Sequence, residues 1–255
     1  MDNKYLTLLR PRGAAVWLPT DIGGCKRWGR SDLGITKDGS DRVSIYADQS
    51  GNGNDFTQTM DDNKFVWYAD QIDGYPGLYM DGNNDFMVGT GSSLVSVFNG
   101  NDIPFSIFFV AKQSSMVLAY YTLWSTAFLN NLRPFNKWTA YNGSYYYEMQ
   151  RATAAEAPTI TGGIPDLDWH YFLYVFKGTT ADFYKDGVKI INNGSLDTIA
   201  FSDIDTFTLG CFNYSVSQSQ FFLGYIAEDA IYDNEISSDD ITLLHNYAAT
   251  RYPSI

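Results

Sequence analysis

Short aromatic-rich apolar runs recur along this chain, and nearly every one is closed by an Asp, Asn or Gly turn. Ala181-Asp182-Phe183-Tyr184 and Val188-Lys189-Ile190-Ile191 flank Lys185-Asp186-Gly187, and Asp-Gly supplies the positive φ angles of a tight hairpin. Gly77-Leu78-Tyr79-Met80 and Asp85-Phe86-Met87-Val88 flank Asp81-Gly82-Asn83-Asn84 in the same way, which predicts a second tight β-connection. Residues 105–112 (FSIFFVAK) are almost wholly apolar, as a central strand covered on both faces must be. Further strand runs are read at 120–125, 144–150, 171–177, 207–211 and 221–232. Many short strands with turn signals between them predict an antiparallel sandwich and argue against a βαβ protein.

One helix is expected, at roughly 238–251. Ser237 is a good N-cap, Asp239 and Asp240 suit the positive end of the helix dipole, and Pro253 lies just beyond the end. Ile241, Leu244, Tyr247 and Ala248 then form one apolar stripe.

The nineteen Tyr and seventeen Phe fit that reading, because flat rings suit a pleated, half-buried surface. A length of 255 residues suits one domain with one core, read as 14–255 behind an N-terminal arm of 1–13. The net charge of −12 argues against nucleic acid or an anionic membrane as a partner. The charge is uneven: residues 1–42 carry +3 and the remainder −15. Cys25 and Cys211 have no metal-knuckle or redox spacing. The first residues do not read as a secretory signal, and no apolar run is long enough for a membrane helix.

Three stretches in order resemble the laminin-G-like branch of the concanavalin A-like lectin/glucanase superfamily, as found in phage virion and bacterial surface proteins. The first is Ala15-Val16-Trp17-Leu18 followed by Val43-Ser44-Ile45-Tyr46-Ala47-Asp48-Gln49-Ser50-Gly51-Asn52-Gly53-Asn54-Asp55, with Tyr46 where a Trp is usual. The second is Ile72-Asp73-Gly74-Tyr75-Pro76-Gly77-Leu78-Tyr79-Met80-Asp81-Gly82-Asn83-Asn84-Asp85. The third is Gly224-Tyr225-Ile226-Ala227-Glu228-Asp229-Ala230-Ile231-Tyr232-Asp233 and the helix after it. The resemblance implies an all-β fold, a two-sheet antiparallel jelly-roll sandwich with one C-terminal helix. Residues 24–31 (GCKRWGRS) depart from the pattern and read as an inserted basic loop.

The chemistry-bearing residues are sparse. The glucanase branch of that superfamily usually carries E-x-D-x-x-E on one strand, and the strand with Glu228, Asp229 and Asp233 lacks it. Glu228 shares a face with Ala230 and Tyr232, and Asp229 shares the other with Ile231 and Asp233. Asp229 and Asp233 are about 13 Å apart on a strand, beyond the reach of a glycosidase pair. His170 and His245 are the only histidines and are read as structural. Asp48, Asn52, Asp55, Asp81, Asn83 and Asp85 are oxygen donors that suit calcium, but they suit Asx turns better. No cofactor or metal is therefore assigned.

Trp138, Tyr141, Asn142, Tyr145 and Tyr147 form the candidate sugar-binding set, since rings stack on sugar C–H faces while amides bond hydroxyls. Ordinary strand alternation, with half of these tyrosines in the core, is the competing account. Arg10, Arg12, Lys26, Arg27 and Arg30, with Trp28 as buried anchor, form a candidate partner-docking set. The resulting expectation is a non-enzymatic bacteriophage virion protein, a head decoration, head fibre or tail component, made in the host cytoplasm. Its partners would be other virion proteins or further copies of itself, and a cell-surface glycan. A glycan-cleaving enzyme and an intracellular carbohydrate-binding protein are the alternatives.

Overall fold

The computed structural model describes residues 17–115, 120–127, 135–141, 146–152, 159–196, 200–201, 204–214 and 217–255. In chain order the first strands are β1 (Cys25–Arg30), β2 (Ile35–Lys37), β3 (Val43–Tyr46), β4 (Phe56–Thr57), β5 (Val66–Ile72), β6 (Tyr75–Asp81) and β7 (Met87–Gly89). After the short helix α1 (Ser92–Val95) come β8 (Gly100–Asn101), β9 (Phe105–Gln113), β10 (Tyr120–Ala127), β11 (Phe135–Tyr141), β12 (Tyr146–Ala152), β13 (Thr159–Gly162) and β14 (Trp169–Phe176). The last are β15 (Thr180–Lys185), β16 (Val188–Ser195), β17 (Ala200–Phe201), β18 (Thr206–Leu209), β19 (Phe212–Tyr214), β20 (Ser217–Ser219) and β21 (Leu223–Tyr232), then helix α2 (Ser238–Arg251).

Two antiparallel sheets dominate. The first runs β16-β15-β14-β9-β21-β6-β5, with β1 also paired to β21, and the second runs β13-β12-β11-β10-β18-β7-β4-β3-β2. Both are jelly-roll sheets, because neighbours in space are often distant in sequence: β9 lies between β14 and β21. The apolar run at 105–112 behaves as a central strand should. Its inward Ile107 and Phe109 join the core between the sheets, while Phe108 and Val110 enter a second apolar layer on the outside. That outer layer is closed by α2, whose Leu244, Ala248 and the following Tyr252 are fully buried. Burying a Leu-sized side chain this way contributes about 1.5–3 kcal/mol.

The helix begins as its sequence dictates. Ser237 accepts a hydrogen bond from Asp240 N, and the Asp240 carboxylate accepts from Ser237 N, a reciprocal cap. The Asp186-Gly187 turn joins β15 to β16 with φ angles of 51° and 76°, as a two-residue hairpin requires.

One expectation is refined and one corrected. The Asp81–Asn84 turn is the tight β-connection expected, with Asp81 Oδ1 accepting from Asn83 N at 2.8 Å, and it joins strands of different sheets. β6 belongs to the first sheet and β7 to the second, so the turn carries the chain across the sandwich, and Met80 and Met87 meet the core from opposite sides. Residues 24–31 are not an inserted loop: they hold β1, with Trp28 opposite Ala230. The arginine in that strand hides its alternation, because Arg27 faces inward where an apolar residue is the rule.

Candidate functional site

Two of the residues picked out for docking, Arg27 and Trp28, are spent inside the fold. Arg27 is fully buried: its Nε lies 2.9 Å from Asp229 Oδ2, its Nη1 donates to Asn54 O, and its guanidinium sits 3.5 Å over the Phe56 ring. Gly29 makes room for this pair, since a Cβ there would fall 2.5 Å from Asp229 Oδ1 and 2.6 Å from Arg27 Nη2. Trp28 is buried and donates from Nε1 to Glu228 Oε1 at 2.7 Å. Lys26 pairs with Asp233 and Arg30 with Asp32. Arg27 and Trp28 are thus corrected from docking residues to internal ones, because burial removes them from any partner. Arg10 and Arg12 lie outside the described residues.

The carboxylates of β21 are equally committed. Glu228, fully buried, accepts from Trp28 Nε1, from the Tyr247 hydroxyl at 2.6 Å and from the Tyr252 hydroxyl at 2.6 Å. Arg251 adds an ion pair at 3.1 Å and reaches Asp32 with its other nitrogen. Glu228 therefore lies under α2 and Asp229 lies between the sheets, as the alternation required. Both are buried.

The turn-rich loops follow the Asx reading. Asp48 accepts from the backbone N–H of Trp28, Ser50 and Asn54 and from the Ser50 hydroxyl. Burial would raise its carboxyl, yet those hydrogen bonds outweigh burial and hold it below the usual range. His170 is held at 2.6 Å by both Asp166 and Asp186, and Lys185 also pairs with Asp166. His245 Nδ1 meets the Tyr171 hydroxyl. Both cysteines are free thiols, and burial pushes Cys25 up to about 12.

Of the candidate sugar-binding set, Tyr147 is corrected. Its ring is buried in the core, edge-on to Phe172 and Phe183 at 5.2 and 5.7 Å, and cannot stack on a ligand. Asn142 and Tyr145 lie outside the described residues. Trp138 and Tyr141 stand opposite Met149 and Tyr146 on β11, and their side chains lie outside what is described.

The structure assembles a different aromatic surface, on the outer face of the first sheet beside α2. One row of cross-strand neighbours runs Trp169 (β14), Lys112 (β9), Tyr225 (β21), Tyr79 (β6) and Val66 (β5). Tyr68 joins from the next row, opposite Gly77. Tyr225 is the hub, with ring centroids 4.9 Å from Tyr79, 6.2 Å from Tyr68 and 6.0 Å from Trp169. Tyr68 is 44% exposed and the other three residues are half-buried, so the group is open to solvent. Trp169 is fixed by a hydrogen bond from Nε1 to Gln71 O at 3.0 Å.

Its polar atoms are open. The hydroxyls of Tyr68, Tyr79 and Tyr225 make no hydrogen bond among the described residues, and neither does Lys112. Partial burial, then Tyr225 and Asp81, raise the Tyr79 phenol; partial burial and Tyr68 raise that of Tyr225. These hydroxyls stay protonated and able to donate. Stacking faces ringed by unspent donors can hold a flat, hydroxyl-rich ligand. Sequence reasoning missed the platform because its rings come from four separated strands. The only signal was that Tyr79 and Tyr225 alternate with buried neighbours.

Residues 116–242 match the family model described as the concanavalin A-like lectin/glucanases superfamily. No curated protein matches. Among solved structures, a Trypanosoma rangeli sialidase in complex with the inhibitor DANA superimposes with a TM-score of 0.60 at 13% identity, covering 95% of this chain and 36% of that one. The binding domain of botulinum neurotoxin DC, in complex with rat synaptotagmin II, gives 0.63 at 14% identity, covering 90% and 52%. A structure of botulinum neurotoxin type C, whose cell entry depends on two ganglioside molecules, gives 0.61 at 14%, covering 89% and 51%. The chain spans about a third to a half of these structures' length, and at such identity the likeness is one of fold.

Proposed function

With a laminin-G-like jelly roll of the concanavalin A-like lectin/glucanase superfamily as the premise, we propose that this chain is a non-enzymatic glycan-binding module. The observation that carries the reading is the platform of Tyr68, Tyr79, Tyr225 and Trp169, which is open to solvent and whose three phenols are unspent among the described residues. Aromatic faces bury the C–H side of a pyranose, and the hydroxyls bond its edge. Glycan recognition by the ganglioside-dependent neurotoxin of the same fold supports the class of ligand.

A printed glycan array tests this. The wild-type chain should bind a defined subset, and Tyr225→Ala should lose it while remaining folded. Binding that survives Tyr225→Ala would place recognition elsewhere. Release of reducing sugar from a bound polysaccharide would overturn the non-enzymatic half of the reading.

Resemblance to phage surface proteins supports a narrower version, in which the module is displayed on a virion made in the host cytoplasm and meets other virion proteins there. Immunogold electron microscopy of purified particles tests it: labelled particles are expected, and bare ones would remove the virion role.

A further inference from the structure

Lys112 stands in the middle of the platform, opposite Tyr225 on one side and Trp169 on the other. Cross-strand neighbours of this kind have Cβ atoms about 5 Å apart, so the stem of Lys112 leaves the sheet between the two aromatic residues. It is half-buried and has neither an ion pair nor a hydrogen bond among the described residues. That sets it apart. Lys26, Arg27, Arg30, Lys37, Lys64, Lys177, Lys185, Lys189 and Arg251 each pair with an Asp or Glu, and Arg42 donates to Asp61 O. In a chain of net charge −12, carboxylates are plentiful, yet no described one pairs with Lys112. Asp81, two residues along β6 from Tyr79, is instead folded on to its own turn, accepting from Asn83 N.

We infer that the platform selects a sugar residue bearing a carboxylate, with Lys112 as its counter-ion. This rests on the glycan reading above and narrows it to acidic glycans. The rings supply stacking that any pyranose could use, whereas the unpaired ammonium rewards only an anion. The acidic body repels anions at long range, but that field is screened over about 8 Å at physiological ionic strength, so the local cation decides. Half-buried on the sheet, Lys112 also meets its anion in a setting less screened than open water.

The test is an array carrying uronate- and sialate-terminated glycans, their carboxyl-reduced counterparts, and sulfated glycans of the same backbone. It is probed with wild type, Lys112→Gln and Tyr225→Ala, and melting curves show that each is folded. Carboxylated glycans should bind at least tenfold better than their reduced counterparts, and Lys112→Gln should erase that preference. Equal binding of reduced glycans, lost in Tyr225→Ala, overturns the acidic inference and leaves the glycan reading standing. Sulfated glycans bound as well as carboxylated ones overturn the choice of carboxylate. No glycan bound, or binding indifferent to Tyr225→Ala, overturns both.

Discussion

The outer face of β21 carries two aromatic patches that use the same residue types to opposite ends. Under α2, Trp28, Tyr247, Tyr252 and Arg251 converge on Glu228, and each polar head is satisfied within the protein. Just beyond the helix, Tyr225, Tyr79, Tyr68 and Trp169 cluster too, but their phenols and Lys112 find no partner among the described residues. The first patch is cement and the second is a surface. What separates them is cover: a helix lies over one and solvent over the other. Satisfied donors, rather than aromatic content, distinguish a core from a site.

A single irregularity puts both patches on one face. Tyr225 and Glu228 are three residues apart, which strict alternation would send to opposite faces. The register against β9 shifts between Ile226, opposite Ala111, and Glu228, opposite Val110, so Ala227 is an extra residue. Deleting Ala227 keeps Tyr225 and Glu228 on one face but brings them one residue closer, so one of the two patches must slip along the strand out of its pairing with β9 and β6. The expected result is the largest available, loss of cooperative folding, read by circular dichroism and urea titration. A stable deletion variant would show that the bulge does not separate the patches.

The next effect comes from the cement alone. Glu228→Ala leaves the buried Arg251 guanidinium without that carboxylate and should cost about 3–5 kcal/mol in urea unfolding. Tyr225→Ala, three residues away, should cost far less. Equal costs would erase the distinction between the patches.

A third test concerns the His170 clasp, one residue along β14 from Trp169. Neutral imidazole has one N–H, yet both ring nitrogens face carboxylates, so the bonded form is the imidazolium. Burial lowers its pKa, but the bonds to Asp186 and Asp166 outweigh burial and raise it above 6.5. A raised folded pKa gives stability that is full below about pH 6.5 and is lost as pH climbs through the folded value. Burial would raise Asp166, yet Lys185 and His170 hold it down to about 2, so its share persists above pH 3.8 and falls away toward about 2. Stability should therefore peak on the acidic side of neutrality, by on the order of 1–2 kcal/mol relative to His170→Asn. That variant should have a flatter pH profile. An unchanged profile would mean that the clasp contributes nothing.

Much of the fold was legible because it depends on local chemistry. The Ser237 cap, the Asp186-Gly187 hairpin and the doubly covered run at 105–112 each declare themselves within a few residues. So did the faces of Glu228 and Asp229, since both lie on the same side of the bulge. The candidate site was not legible. Tyr68, Tyr79, Lys112, Trp169 and Tyr225 become neighbours only through the order β14-β9-β21-β6-β5, which no local pattern encodes. Arg27 misled for a related reason: its buried partner, Asp229, lies some two hundred residues away in the chain. Composition identified a surface rich in rings, and topology decided which rings face out.

The smallest expected effect is on affinity. Losing one stacking ring, as in Tyr79→Ala, should weaken glycan binding by about 1 kcal/mol with little change in melting temperature. The most direct measurement is hydroxyl-radical footprinting of the chain with and without a bound glycan, read by mass spectrometry at single side chains. Protection concentrated on Tyr68, Tyr79, Tyr225 and Trp169 is the predicted result. Unchanged reactivity of those four rings, with protection at Trp138, Tyr141 or Tyr145 instead, would contradict the account.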